Sequence, residues 1–518
     1  MNTTSFRILR AMAWLIVSVI TLYALICGWV NWTGARMYRD ATARLHADGE
    51  SLDFRKATVD PIPDAENFCA IPALKDLALD KNDDASDRRK RLESLKFPSQ
   101  EKIAGRPKMT SGASSGSSGD LKAWRVWLRD AKMLKSSADS ANPALDVLHG
   151  LSSQEVVFSE LAAGLDRQFA QWTPAWKTRE LPQSMLFAIS LPHYNASQTT
   201  ATALLLRTWA AAAANDAAKA HESLQIMAKL SEANASEPFL IGLLVSMAAT
   251  AQVTHGLWEV CDAQGGSADD FLKLEKALVS IDYKKSMLRA WRGELAAAVD
   301  AVSSLKKSRG KESSLLINML GNNGNADSNS VLNAVASLIP GGWFDANAAV
   351  LIDSELKYII RPSRDEGWPA ILESAALFET ALFGSKTKPF MKPYHVIASL
   401  IVPATLPILS RGAHTQCLLD QAIVACALER YRIEQGAYPD SLNHVKLADG
   451  KPLPVDVFSG KPLGYRKTEN GKYVLWSVGF DGQDDGGKRV LNEQNPQGTK
   501  FGDRDYKGDW VWDFPSSR

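Results

Sequence analysis

Residues 199–230 read TTATALLLRTWAAAAANDAAKAHESLQIMAKL. Leu204, Leu205, Trp209, Ala212, Ala213, Ala217, Ala220, Leu224, Met227 and Leu230 recur mostly three or four positions apart. That spacing lays an apolar stripe along one side of an α-helix. It fits one long helix, or two consecutive helices broken near Asn215. Pro238 then opens an almost wholly apolar run over 239–253, and proline is tolerated in a first helical turn because its missing N–H would have no partner there. The run is too short to cross a bilayer unaided, so a buried central helix is expected. The same Ala- and Leu-rich pattern covers 120–307 with little strand-like alternation, which predicts packed helix pairs. A repeat-like stack is one form of this, although no clean 34-residue period is visible.

Toward the N-terminus, residues 11–30 read AMAWLIVSVITLYALICGWV without a charge. About twenty such residues are what a hydrocarbon layer of roughly 30 Å asks of a helix. Nine of them are Leu, Ile or Val, contributing roughly −3 to −5 kcal/mol of insertion free energy. Trp14 lies near one end, Trp29 and Trp32 near the other, as interfacial aromatics do. Arg7 and Arg10 precede the run and Arg36 and Arg39 follow it, so charge bias alone does not orient it. Long downstream regions translocate largely regardless of charge. The expectation is a cytoplasmic N-terminus over 1–10, a transmembrane helix over 11–31, and a body on the far side of the inner (cytoplasmic) membrane of a single-pass protein. A retained anchor is preferred to a cleaved signal, because the apolar run is longer than a signal core and no A-x-A-like site follows it. Lipoprotein processing at Cys27 is disfavoured by Ile26, where a small residue is needed.

The rest divides by composition. A membrane-proximal segment over 32–119 ends in MTSGASSGSSG at 109–119, which reads as a flexible connector. A helical body follows over 120–309, then a loop over 310–343 containing GNNGNADSN. A second helical segment covers 344–411. Within it HVIASLIVPATLPIL, at 395–409, holds Pro403 and Pro407 and reads as a kinked packed segment.

Residues 412–518 read as a small α+β unit. Leu419, Ile423 and Cys426 form one helical row and Val424, Leu428 and Tyr431 the next, with Glu429, Arg430, Arg432 and Glu434 mostly elsewhere. Gly436 suits a helix end and Pro439 forbids a restart. Alternating runs at 463–467 and 473–478 flank Asn470-Gly471, a strong hairpin signal. Trp510-Val511-Trp512 offers a third strand. The helix is expected to pack across this sheet, because an isolated hairpin is barely stable. The predicted fold class is therefore mainly α: a transmembrane helix, a helical body, and a C-terminal α+β domain with an antiparallel sheet.

Asp481, Gln483 and Asp485 put oxygen donors at the first, third and fifth positions of a loop with Gly486 at the sixth, as in the first half of an EF-hand. Asn492 stands where the closing Glu would be, and no helix pair brackets the loop, so a solvated acidic turn is the plain alternative.

Three stretches together, LERYRIEQGAYP at 428–439, DVFSGKPL at 456–463 and WSVGFDGQDDGG at 476–487, resemble the globular head of the major pseudopilin of type II secretion. The likeness covers roughly residues 415 to 515. It implies a pseudopilin-like fold and a Ca2+ site made from Asp481, Gln483, Asp484 and Asp485 together with Asp503, Asp505 and Asp509. The membrane helix lacks the Gly-Phe-Thr-Leu-x-Glu processing motif of pseudopilins, so filament assembly is not implied. The whole chain is also similar to an uncharacterised family of single-pass bacterial membrane proteins, which supplies architecture and no activity.

Composition excludes several classes. Lys plus Arg at 59 against Asp plus Glu at 58 gives a formal charge of +1, with no global field to attract nucleic acid. The cysteines at 27, 69, 261, 417 and 426 show no C-x-x-C spacing; a Cys69–Cys261 bridge is left open. His221-Glu222 has no second histidine for a His-Glu-x-x-His zinc site, and neither a phosphate loop nor a G-x-S-x-G elbow is present. No catalytic residue is assigned. The sequence points to a membrane-anchored, extracytoplasmic scaffold or protein-interaction protein, secretion-related by resemblance, with a protein partner and a calcium-stiffened head. The alternative is an exported, membrane-tethered hydrolase using carboxylates in a helical cleft.

Overall fold

The structure is a computed structural model; it describes residues 3–78, 83–97, 104–109, 118–134, 141–172, 191–307, 338–383, 392–402, 405–488 and 508–514. The loop expected around 310–329, most of the Ser/Gly connector, and Pro403 lie outside the described residues. The fold is mainly α, with a small antiparallel sheet near the C-terminus.

The chain begins with α1 (Thr3–Ala47), a helix long and apolar enough to cross a membrane, whose most apolar window is wholly unburied. Short helices α2 (Asp83–Glu93), α3 (Leu121–Asp130), α4 (Pro143–Gly150) and α5 (Glu155–Ala162) follow. The Ser/Gly connector is pinned where it rejoins the body: the Gly119 amide donates to Glu259 Oε1 at 2.7 Å, and a Cβ there would strike the Trp209 ring.

The stretch that opens the sequence analysis forms two helices, α6 (Pro192–Ala213) and α7 (Ala217–Ala235). The break is at Asn215, which takes the left-handed conformation at φ 60°, and Asp216 caps α7 by accepting from the Lys219 amide. Then comes α8 (Leu240–Asp262), the central helix expected after Pro238, enclosed by α6 and α7. Gly256 allows this approach, since a Cβ would meet Leu224 at 2.8 Å and Thr208 at 3.0 Å. Next are α9 (Ala268–Val279) and α10 (Tyr283–Lys307). Inside this group Ser231, Ser246, Thr250 and Tyr283 exchange hydroxyl hydrogen bonds of 2.7–3.4 Å, all buried.

The second helical segment holds α11 (Gly341–Glu355), a π-turn over Leu356–Ile360, α12 (Arg361–Asp365), α13 (Trp368–Phe383) and α14 (Val396–Ile401), before α15 (Thr405–Gln435). The expected kink at 395–409 is a break between two helices. Val402 is extended, and Pro407 falls in the first turn of α15, where a missing N–H is harmless.

The boundary expected at 412 lies inside α15. This helix is buried on every side from Cys417 to Glu429 and packs chiefly against α9, α8, α13 and α10, touching the sheet with a smaller area. Glu429, expected to face away from the apolar rows, is buried, accepting from the Tyr438 hydroxyl and from Arg432 Nε. The sheet has strands β1 (Gly464–Lys467), β2 (Tyr473–Ser477) and β3 (Trp510–Trp512), in that spatial order and antiparallel throughout. The hairpin loop is longer than an Asn-Gly two-residue turn. Gly471 N donates to Thr468 O and takes φ 77°, as the last residue of a three-residue loop. The sheet is joined to the helices: Gln421 Nε2 donates to Trp510 O at 2.7 Å, Trp258 Nε1 to Asp513 O at 2.9 Å, and Trp258 stacks on Phe514. One continuous core runs from Ala41 to Phe514. Cys69 and Cys261 are free, buried thiols.

The most extensive helix pair is α1 with α11. The Gly34 and Gly342 backbones meet so closely that a Cβ on Gly34 would lie 1.8 Å from Gly342 O, and one on Gly342 would lie 2.3 Å from Val30 O. Asn31 Oδ1 accepts the Gly342 amide at 2.7 Å, satisfying a free N–H of the first turn of α11. Further on, Arg44 holds Asp353 through two bonds of 2.7–3.0 Å.

Two predictions follow from this packing. Gly34→Val forces the helices apart against backbone, and is expected to cost about 3 kcal/mol or more, read as a lowered denaturation midpoint; an unchanged midpoint would show that the crossing does not hold the fold. The second concerns Asp420, whose carboxyl burial pushes up to about 8, although Gln416 donates to it. The folded state keeps its proton while the unfolded chain loses it above about pH 4, so stability falls as pH rises from about 4 to about 8. Asp420→Asn is expected to remove this slope and to gain several kcal/mol at pH 8, measured by urea unfolding across that range.

Candidate functional site

Near the C-terminus, Asp481, Asp484 and Asp509 of the acids that the sequence singles out are each tied to backbone N–H groups. Asp481 Oδ1 accepts from the Gln483 amide and Oδ2 from the Gly508 amide, each at 3.1 Å. Asp484 Oδ1 accepts Trp476 Nε1 and the Gly486 amide, each at 2.9 Å. Asp509, buried, takes the Asp485 amide at 3.2 Å and the Gly487 amide at 2.6 Å. Burial raises the Asp509 carboxyl above the usual range, the two amides oppose this, and Asp484 and Asp485 add to it. Asp456, which the sequence did not single out as a site residue, does the same for Ser477 Oγ and for the Phe458 and Val478 amides. Glycines at 479, 482, 486 and 487 take positive φ, which lets the turn fold back and present its N–H groups to these carboxylates.

Asp503 and Asp505 lie outside the described residues. Among the described residues no group of three or more His, Cys, Asp or Glu side chains is placed to hold a metal ion.

A larger feature lies on the helical body, where sequence reasoning placed no site. A cleft of about 1080 Å³ opens between α7, α9, the 162–169 turn and the 447–449 loop. Arg167, Lys229, Lys273 and Lys276 line it beside Asp166, Glu222, Asp270, Glu275 and Asp449, with Leu165, Phe169 and Val279 as apolar points. Most of these charges are committed to the fold. Arg167 Nη1 donates to Asp64 O and Asn67 O, and Lys229 Nζ to Gln168 O at 2.6 Å and Glu232 Oε2 at 3.2 Å. Glu222 receives Arg207, Asp270 closes the capping box with Ser267, and Glu275 takes Arg430 and the Ala448 amide. Burial raises the carboxyl of Glu232, the partner of Lys229, against the pull of that ammonium.

His221 is buried in the cleft wall, edge-on to Phe271, with Nε2 3.4 Å from Gly265 O. Burial lowers its pKa, so the ring is neutral at pH 7. If Nε2 carries the proton toward Gly265 O, Nδ1 is an acceptor, and it has no partner among the described residues. Gln225 and Lys276 likewise have no hydrogen bond or ion pair there. Ser280 is the sole hydroxyl among the described lining residues, and it donates to Ala277 O. Nδ1 is itself buried, so the cleft offers an amide and an ammonium, without a nucleophile set against a base.

No family model matches the chain, and comparison with curated proteins and with solved structures gives no significant match.

The acidic turn generates a direct test. Asp509→Ala leaves two inward N–H groups without their charged acceptor, which is expected to cost about 3 kcal/mol and to lower Tm. A Tm equal to that of the parent would mean that water replaces the carboxylate.

Proposed function

We propose that the chain is a membrane-anchored binding protein: α1 spans the cytoplasmic membrane, the body lies outside the cytoplasm, and the α7–α9 cleft receives a polar, mixed-charge segment of a protein partner. The cleft carries this reading. Its charges of both signs lie side by side, so it has no single-sign field of the kind that collects nucleic acid or polyphosphate. Its unengaged and accessible groups, Gln225 and Lys276, can donate to and accept from an extended backbone and donate to a carboxylate. Binding is favoured over hydrolysis because Glu222, Asp270 and Glu275 are already held by the groups around them.

The calcium-stiffened, pseudopilin-like head is a separate proposal, supported by the joining of the 481–487 turn to residues 508–509. Millimolar calcium added to the full chain should raise Tm if an ion completes that cluster, and leave Tm unchanged if the N–H groups alone hold it.

A photo-crosslinking benzoylphenylalanine at Gln225 is expected to give a discrete protein adduct in intact cells, which Lys276→Glu weakens severalfold. The same probe at Val126, an exposed position on α3, should give none. Equal labelling from both positions would overturn the cleft reading.

A further inference from the structure

The face of α1 that meets the body starts inside the apolar run. Cys27 and Val30 are half-buried, Gly34, Ala41 and Leu45 are buried, and the adjacent Met37 and Tyr38 pack against the core, with intervals of three or four elsewhere. Deeper still, the Tyr23 hydroxyl donates to the Leu338 carbonyl. The N-terminus of α11 is level with Val30 and Asn31, where the Gly342 backbone touches α1. Tyr23 precedes Val30 by seven residues, about 10 Å along a helix axis. A helical side chain also leans toward the N-terminus, which carries the hydroxyl no shallower than its own Cα.

We infer that residues 338–342 enter the outer leaflet of the bilayer beside α1, so that the body is wedged into the membrane rather than suspended above it. The inference rests on the reading of α1 as a membrane span. With residues 11–30 crossing the hydrocarbon, the Leu338 carbonyl lies about 10 Å inside its outer edge. The chemistry of the segment suits that depth. Leu338 is 58% exposed, an apolar side chain largely open to its surroundings. Pro340 brings no N–H to be satisfied. Non-helical backbone at membrane depth needs partners within the protein, and here the Leu338 carbonyl takes the Tyr23 hydroxyl while the Gly342 amide takes Asn31 Oδ1. Beside it Trp343, half-buried, donates Nε1 to Pro393 O, and Lys392 is exposed, as aromatic and basic residues sit at the headgroup level. The occupant is thus the lipid leaflet continuous with the surface of α1.

The test places a nitroxide on the full chain reconstituted in phosphatidylcholine vesicles. Cys27→Ala removes the one cysteine that is not buried, and Leu338→Cys or Ile20→Cys then carries the label. Both positions are exposed, at 58% and 61%, so substitution disturbs little packing. At 338 collision with oxygen is expected to exceed collision with a water-soluble nickel chelate, as at 20, with a shallower depth than at 20. A label at 20 in lipid with one at 338 open to the chelate would overturn the wedge and leave the anchor standing. Chelate access at both positions would overturn the anchor, and the wedge with it.

Discussion

The contact between the backbones of Gly34 and Gly342 is the constraint from which the arrangement of the molecule follows. Two helices that approach within a carbonyl's reach of a missing Cβ have one relative position, since any side chain there separates them. The rest of α1 is registered by that crossing: Asn31 satisfies the start of α11, and Arg44 grips Asp353 near its end. A helix attached in this way is a rigid extension of the body. Over its first 29 residues the same helix is exposed or half-exposed wherever side chains are described, and residues 11–30 of it are apolar enough to cross a membrane.

Where α1 ends, the fixing changes from packing to charge. Asp48 receives Arg361 and Arg364, and Glu50, buried, receives Arg292 and Arg364. The hydrogen bond from Arg361 holds the Asp48 carboxyl below its usual range. Buried ion pairs add little net stability, because desolvation offsets most of their attraction. Their effect is to penalise alternatives: shifting α1 by one turn would leave Glu50 charged and unpaired inside the protein. The glycine contact sets the distance, and the ion pairs set the register.

Much of the helical order was legible in the sequence, because periodicity is a local property. The break at Asn215, the burial of α8 after Pro238, and the strands at 464–467 and 473–477 all sit within a residue or two of where the residues pointed. The third strand at 510–512 pairs as expected, but several features that depend on distant neighbours were not legible. Glu429 looked like a surface charge until Tyr438 and Arg432 closed over it. The long C-terminal helix showed one broad apolar face, and its other sides turned out to be covered by α9, α13 and α10. Gly34 and Gly342 carry no local signal of their meeting. The cleft was invisible for the same reason: its walls come from four segments, and its lysines and acids read one at a time as ordinary solvated helix residues.

The acids of the 481–487 turn show how a motif can be present in sequence and serve the fold. Alternating oxygen donors with interspersed glycines suit a cation, and the same spacing suits a turn that directs its N–H groups inward. Asp481, Asp484 and Asp509 together accept five amide hydrogens and an indole N–H, which fasten the β3 strand to the turn after β2. Those bonds act at the far end of a chain of contacts that runs from β3 through Gln421 into α15, and from α15 onto α9, which forms one wall of the cleft. The wall is therefore braced from behind by the sheet. A wall braced in this way has little freedom to move, so the shape of the cleft is set by the fold before anything enters it.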